Sequence, residues 1–220
     1  MRAYLSSYRL GNQFEQFLEI LPRNTRVLLV DNALDVFSDE ARCRHRAEVY
    51  DPYQELEKFG CSVSNLDLRK YFESQSTLRV RLIESDLVWV LGGNSFVLNR
   101  AMHLSGFDKI ITDHVKADEK ADEIGYGGFS AGAVIAAPTL EGIHLMDDPE
   151  VVPNGYPIEV SWDGLGWTNF AIVPHWKSDH PEATAAEVAR NYLQKKGLPY
   201  ETLSDRQAFL MTVDGTTLLS

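Results

Sequence analysis

Ser130 stands between two glycines in Gly128-Phe129-Ser130-Ala131-Gly132, a Gly-x-Ser-x-Gly segment with an apolar run before it and a helical pattern after it. Small flanking residues let the backbone turn sharply from strand to helix, which pushes the serine hydroxyl into the open as a nucleophile. The Ala131 N–H would then lie at a helix N-terminus, where unpaired donors and the helix dipole favour negative charge. That is a setting for an oxyanion hole in acyl transfer. An ordinary Gly/Ser turn has the same composition, so the segment needs partners elsewhere in the chain.

The second candidate is Leu91-Gly92-Gly93-Asn94-Ser95-Phe96, directly after the apolar run Asp86–Leu91. Paired glycines at a strand end let their amides approach a ligand closely. Gly93 N–H is the candidate second oxyanion donor, and Gly92 and Asn94 are candidate substrate-binding residues. Asn94 or Ser95 can also cap the helix that follows. The segment lacks the lysine of a phosphate-binding loop and the third glycine of a dinucleotide fingerprint, which excludes both.

A serine nucleophile needs a base. Of the six histidines, His45, His103, His114 and His144 lie in or next to helical patterns, whereas His175 ends the strand pattern Phe170-Ala171-Ile172-Val173-Pro174-His175. His175 is the expected base and His180 its rival. A carboxylate must fix the tautomer of the imidazole and stabilise its cation. Asp147 opens a long loop between the serine and the histidine, with Asp148 and Asp163 as rivals. His175, Asp179 and His180 are close in sequence, but their spacing fits no strong metal signature, and no metal or cofactor is expected.

The elements that must hold these residues alternate. Arg26–Val30, Cys61–Leu68, Asp86–Leu91, Ile124–Phe129, Phe170–Val173 and Ala208–Val213 read as strands. Ala41–Phe59, Leu78–Ile83, Asn94–Leu104, Asp108–Glu123, Ala131–Ala137 and Pro181–Lys195 read as helical. This rhythm predicts an α/β fold, a three-layer sandwich with a central, mostly parallel sheet and helices on both faces. Each motif falls at a strand's carboxyl end, where ligands of such sheets bind. Asp147–Gly166, with three prolines and three glycines, reads as a long ordered loop.

The 220 residues suit a single α/β domain over 1–220, with 44% apolar residues to fill a core. A net charge of −11 without a basic run speaks against nucleic acid as a partner. No apolar stretch reaches the length of a membrane span or signal peptide. Cys43 and Cys61 read as reduced thiols of a cytoplasmic protein, either monomer or homodimer.

Taken together, Gly92–Phe96, Gly128–Ala133 with Pro138-Thr139, Asp147 in Met146–Tyr156, and Val173–Trp176 resemble the dipeptidase E and cyanophycinase family of serine peptidases. The resemblance implies the fold of class I glutamine amidotransferases, with serine in place of their cysteine. It also implies a triad of Ser130, His175 and Asp147, oxyanion donors Gly93 and Ala131, and a small peptide as substrate. The aspartyl dipeptidases of this family hold the substrate's acidic side chain with an arginine early in the helix after the histidine strand. Here that position falls near Thr184, and the first arginine of the helix is Arg190. Lys177 or Arg190 could substitute; a strict demand for an N-terminal Asp is not expected. The rivals are an esterase or amidase of the α/β-hydrolase type, which shares the order Ser…Asp…His, and a binding module that keeps the scaffold without catalysis.

Overall fold

The computed structural model describes residues 1–115 and 124–220. In chain order the elements are β1 (Ala3–Ser6), α1 (Phe14–Leu18), β2 (Arg26–Val30), α2 (Asp39–Glu48), α3 (Pro52–Glu57), β3 (Ser62–Asn65), α4 (Gln75–Ile83), β4 (Leu87–Val90), α5 (Ser95–Ser105), α6 (Phe107–Val115), β5 (Gly125–Phe129), α7 (Ala131–Val134), β6 (Ala171–Val173), α8 (Ala183–Lys196), β7 (Tyr200–Thr202), β8 (Ala208–Thr212) and β9 (Gly215–Leu219). Seven strands form the central sheet in the order β3-β2-β4-β5-β1-β8-β9. The first five are parallel, and β8 and β9 extend the edge antiparallel. The expected three-layer α/β sandwich is the observed architecture.

The side chains of β4 explain why the sheet is covered twice. Successive residues of a strand point to opposite faces. Val88 and Val90 join Leu98, Met102 and Phe107 of α5 and α6 in one cluster. Leu87 and Trp89 join Phe14 and Phe17 of α1 and Leu56 of α3 in the other. Trp89 is fully buried, and its truncation to alanine would cost about 3–5 kcal/mol. None of the helices is long and apolar enough to cross a membrane among the described residues. Cys43 and Cys61 are both free thiols.

Three expectations change. The helix expected over Ala41–Phe59 is two helices, because Asp51 caps a new start by accepting from Tyr53 N and Gln54 N, with Pro52 as the first residue. The helix expected over Asp108–Glu123 is Phe107–Val115 in its described part, and residues 116–123 lie outside the described residues. The histidine-bearing strand β6 is not in the central sheet; it pairs in parallel with β7, a strand the sequence reading missed. The long loop is ordered by α5: the buried Arg100 guanidinium donates to the carbonyls of Pro149 (2.9 Å), Ile158 (3.2 Å) and Glu159 (3.2 Å).

Candidate active site

Ser130 follows β5 and opens α7. Its backbone is held at φ 49° and ψ −116°, a sparsely populated region for a residue with a side chain and one that costs about 1–3 kcal/mol. The strain is held in place by close packing. A Cβ on Gly132 would stand 2.4 Å from the Val90 carbonyl oxygen, so only glycine lets α7 start against β4. Ser130 N–H is shared between the carbonyls of Ser6 and Ser7, at 3.2 Å each.

The Gly92-Gly93 turn after β4 lies directly against this elbow. A Cβ on Gly92 would be 3.0 Å from the Cβ of Ser130 and 2.8 Å from the Phe129 ring. The two motifs, separate in sequence, thus form one surface. Among the described residues neither Gly93 N–H nor Ala131 N–H has an acceptor, which leaves both expected oxyanion donors available. Gly92, Gly93, Ser130 and His175 line one cavity of about 860 Å³, within the range that holds small-molecule ligands.

His175 follows β6 and is 1% exposed. Its backbone is also left-handed, at φ 61°. Nδ1 lies 2.7 Å from Asp205 Oδ1, which puts the ring proton on Nδ1 and leaves the Nε2 lone pair facing the cavity. Nε2 is 3.7 Å from Glu182 Oε2. Burial pushes the His175 pKa below its ordinary 6.5; Asp205 opposes the shift and His180 adds to it.

The carboxylate that the structure pairs with His175 is Asp205, where Asp147 was expected. Asp147 Oδ2 accepts Ser95 N–H at 2.9 Å, at the N-terminus of α5. Burial raises its pKa to about 6. Position in the chain put Asp147 between serine and histidine, but the 3-10 helical turn Ile143–Leu145 carries it to α5 instead. Asn94 likewise serves the scaffold. Its Oδ1 caps α5 through Phe96 N and Val97 N, and its Nδ2 donates to the Asp148 carbonyl. Of the two expected substrate-binding residues, Gly92 alone lines the cavity.

His180 stacks on His175 with ring centroids 3.8 Å apart and planes 11° from parallel. Ligand atoms of His175, His180 and Glu182 fall within 4.8 Å of one another. Imidazole ligates along its ring plane, and near-parallel stacked planes do not meet at a shared ion, so a ring would have to turn for both to bind a metal. Lys177 Nζ rests on the Trp176 ring and Arg190 pairs with Asn191 over Tyr200. Neither they nor the exposed Thr184 line the cavity.

The profile of Peptidase family S51 matches residues 9–219. The chain belongs to family S51. An uncharacterized peptidase of Listeria innocua is 30% identical over 71% of this chain and 68% of its own length. Peptidase E of Streptomyces coelicolor is 30% identical over 76% of this chain and 64% of its own length. A solved candidate Peptidase E protein of Listeria monocytogenes superposes over 100% of this chain and 98% of its own, with a TM-score of 0.76 at 23% identity. The S51 chain described here is thus a serine-type peptidase, in the family that its motifs resemble.

Asp205, Glu182, Tyr8 and Arg9 are the cavity or base-side residues that sequence reasoning missed. Asp205 follows β7, whose three residues Tyr200-Glu201-Thr202 carry no apolar pattern. Once β7 pairs with β6, the ends of both strands converge, and the acid falls beside the base.

Proposed function

We propose that this S51 member hydrolyses dipeptides or short peptides through an acyl-enzyme on Ser130. The observation that carries the reading is that a strained serine elbow and the His175–Asp205 pair open into one cavity. Ser130 Oγ attacks the carbonyl carbon, and its proton passes to His175 Nε2. Gly93 N–H and Ala131 N–H take up the charge on the carbonyl oxygen. Collapse breaks the C–N bond, and the proton on Nε2 leaves with the amine. Water then attacks the ester, giving its proton to Nε2, and release of the acid returns that proton to Ser130. Asp205 holds the Nδ1–H tautomer throughout and stabilises the imidazolium.

The cavity size suits a short peptide rather than a folded protein. A cytoplasmic site of action belongs to the same reading and is supported by the two free thiols. The test is a panel of dipeptides, isoaspartyl dipeptides and simple esters. Peptide hydrolysis by the native protein, abolished in Ser130→Ala, is the expected result. Hydrolysis of esters alone would favour the esterase alternative.

A further inference from the structure

Four arginines line the cavity that holds Ser130: Arg9, Arg42, Arg46 and Arg69. Arg42 is neutralised by Asp31, Asp35 and Asp39. Arg69 is neutralised by Asp67. Arg46 has no ion pair among the described residues, but it is exposed on α2, over Tyr53. Arg9 differs from all three.

Arg9 lies on the turn after β1, and β1 pairs directly with β5, the strand that ends at the nucleophile. Its backbone is left-handed, at φ 49°, like those of Ser130 and His175. The turn is fixed by Ser6 Oγ, which donates to the Arg9 carbonyl at 2.5 Å, and by Gly11 N–H on the Tyr8 carbonyl. The guanidinium carbon sits 4.3 Å from the centre of the Tyr50 ring and 5.0 Å from that of Tyr8. Tyr8 in turn meets the His175 ring edge-on at 6.1 Å. The cation is therefore one aromatic ring away from the base. Its Nε is buried without a hydrogen-bond partner. Among the described residues no carboxylate lies within ion-pair distance of it.

In a chain of net charge −11, an arginine left unpaired at the edge of the nucleophile's cavity calls for an explanation. A buried donor without an acceptor is destabilising. Aromatic faces stabilise the charge but leave the N–H edge of the fork unused. That edge is the group that binds carboxylates through two parallel bonds. Arg9 and Ser130 line the same cavity, so a short peptide bound at the serine has the arginine in the same enclosure. Resting on the peptidase reading above, we propose that Arg9 is a specificity residue that receives a carboxylate of the substrate. The carboxylate is either the free C-terminus or an acidic side chain next to the scissile bond.

Calorimetric binding in a Ser130→Ala background reads this without turnover. The ligands are Ala-Leu, its C-terminal amide and Asp-Leu. If the terminus is recognised, Ala-Leu binds at least tenfold tighter than its amide. If the side chain is recognised, Asp-Leu binds at least tenfold tighter than Ala-Leu. Either preference is lost in Arg9→Met, which keeps the apolar stem, and is reduced in Arg9→Lys, which keeps the charge without the fork. Arg9→Lys carries the test alone if Arg9→Met does not fold. No carboxylate preference with Arg9 present, or the same preference in the variants, overturns the proposal. An Arg9-dependent preference in a protein that hydrolyses no peptide would sink the peptidase reading and leave this one standing. Peptide hydrolysis without such a preference would do the reverse.

Discussion

Ser7 Oγ accepts the backbone N–H of His175 at 2.7 Å, while the Ser7 carbonyl accepts the backbone N–H of Ser130. The same hydroxyl lies 3.1 Å from Asp205 Oδ1. One fully buried serine just after β1 thus ties the small β6–β7 sheet, which leads into His175 and Asp205, to the central sheet, which leads into Ser130. Ser7→Ala is expected to lower kcat by about 10–100-fold with little change in KM, because small misplacements of catalytic groups are costly. Steady-state kinetics beside a thermal melt separate this from unfolding. A variant that melts like the native protein and keeps its full kcat would remove Ser7 as a positioning residue.

In the proposed mechanism Asp205 takes the part that chain order had suggested for Asp147. Asp205→Asn leaves the wrong tautomer on His175 and should reduce kcat by about 10⁴-fold. Asp147→Asn should stay within about tenfold of native activity, since its carboxylate faces the α5 N-terminus. The comparison is a single kinetic experiment on two variants. The opposite ranking would return Asp147 to the triad.

Asp147 also makes a stability prediction with a definite sign. Its folded pKa, raised from 3.8 to about 6, means that the native state holds a proton there that the unfolded state has released. Stability therefore declines as pH rises from about 4 through about 6, by up to about 3 kcal/mol. Asp147→Asn removes this decline. It should melt higher than the native protein at pH 7–8 and match it near pH 4. Melts at both pH values check it, and a lower Tm for the variant at pH 8 would count against the assignment.

With His175 as the proposed base, its protonation should set the acidic limb of activity. Its pKa lies below 6.5 because burial disfavours the cation, so the neutral base persists into mildly acidic solution. kcat/KM should rise through an apparent pKa under 6.5 and be flat by pH 7. The titratable groups facing the ring are Asp205, His180, Glu182 and Tyr8. His180→Ala exposes the ring and removes a cationic neighbour, so the limb should move to higher pH. A limb that stays in place would mean that another group, Glu182 foremost, controls it.

Much of this was legible in the sequence because local chemistry dictated it. The β2, β4 and β5 strands are short apolar or glycine-rich runs that only a doubly covered sheet can hold, and Gly132 and Gly92 are required by contacts that the motifs already implied. The elbow and the second glycine turn therefore lie side by side, whereas His175 reaches the same cavity from β6, outside the central sheet. Asp205 was not legible, because it depends on the pairing of β7 with β6, and a polar three-residue strand leaves no periodic trace. Arg9 was hidden for a related reason: only folding brings Tyr50 against it. In the proposed site, Arg9 after β1 takes the place of the cation sought in α8 near Thr184.

The central claim is that Ser130 is the nucleophile, and labelling with a fluorophosphonate followed by peptide mass spectrometry tests it most directly. The account expects one phosphonyl adduct per chain, on the peptide containing Ser130, with loss of hydrolysis in step with labelling. Ser130→Ala should take up no label and lose activity by a factor on the order of 10⁴ or more. An adduct on another residue, or a Ser130→Ala protein that keeps a tenth of the native rate, would contradict it.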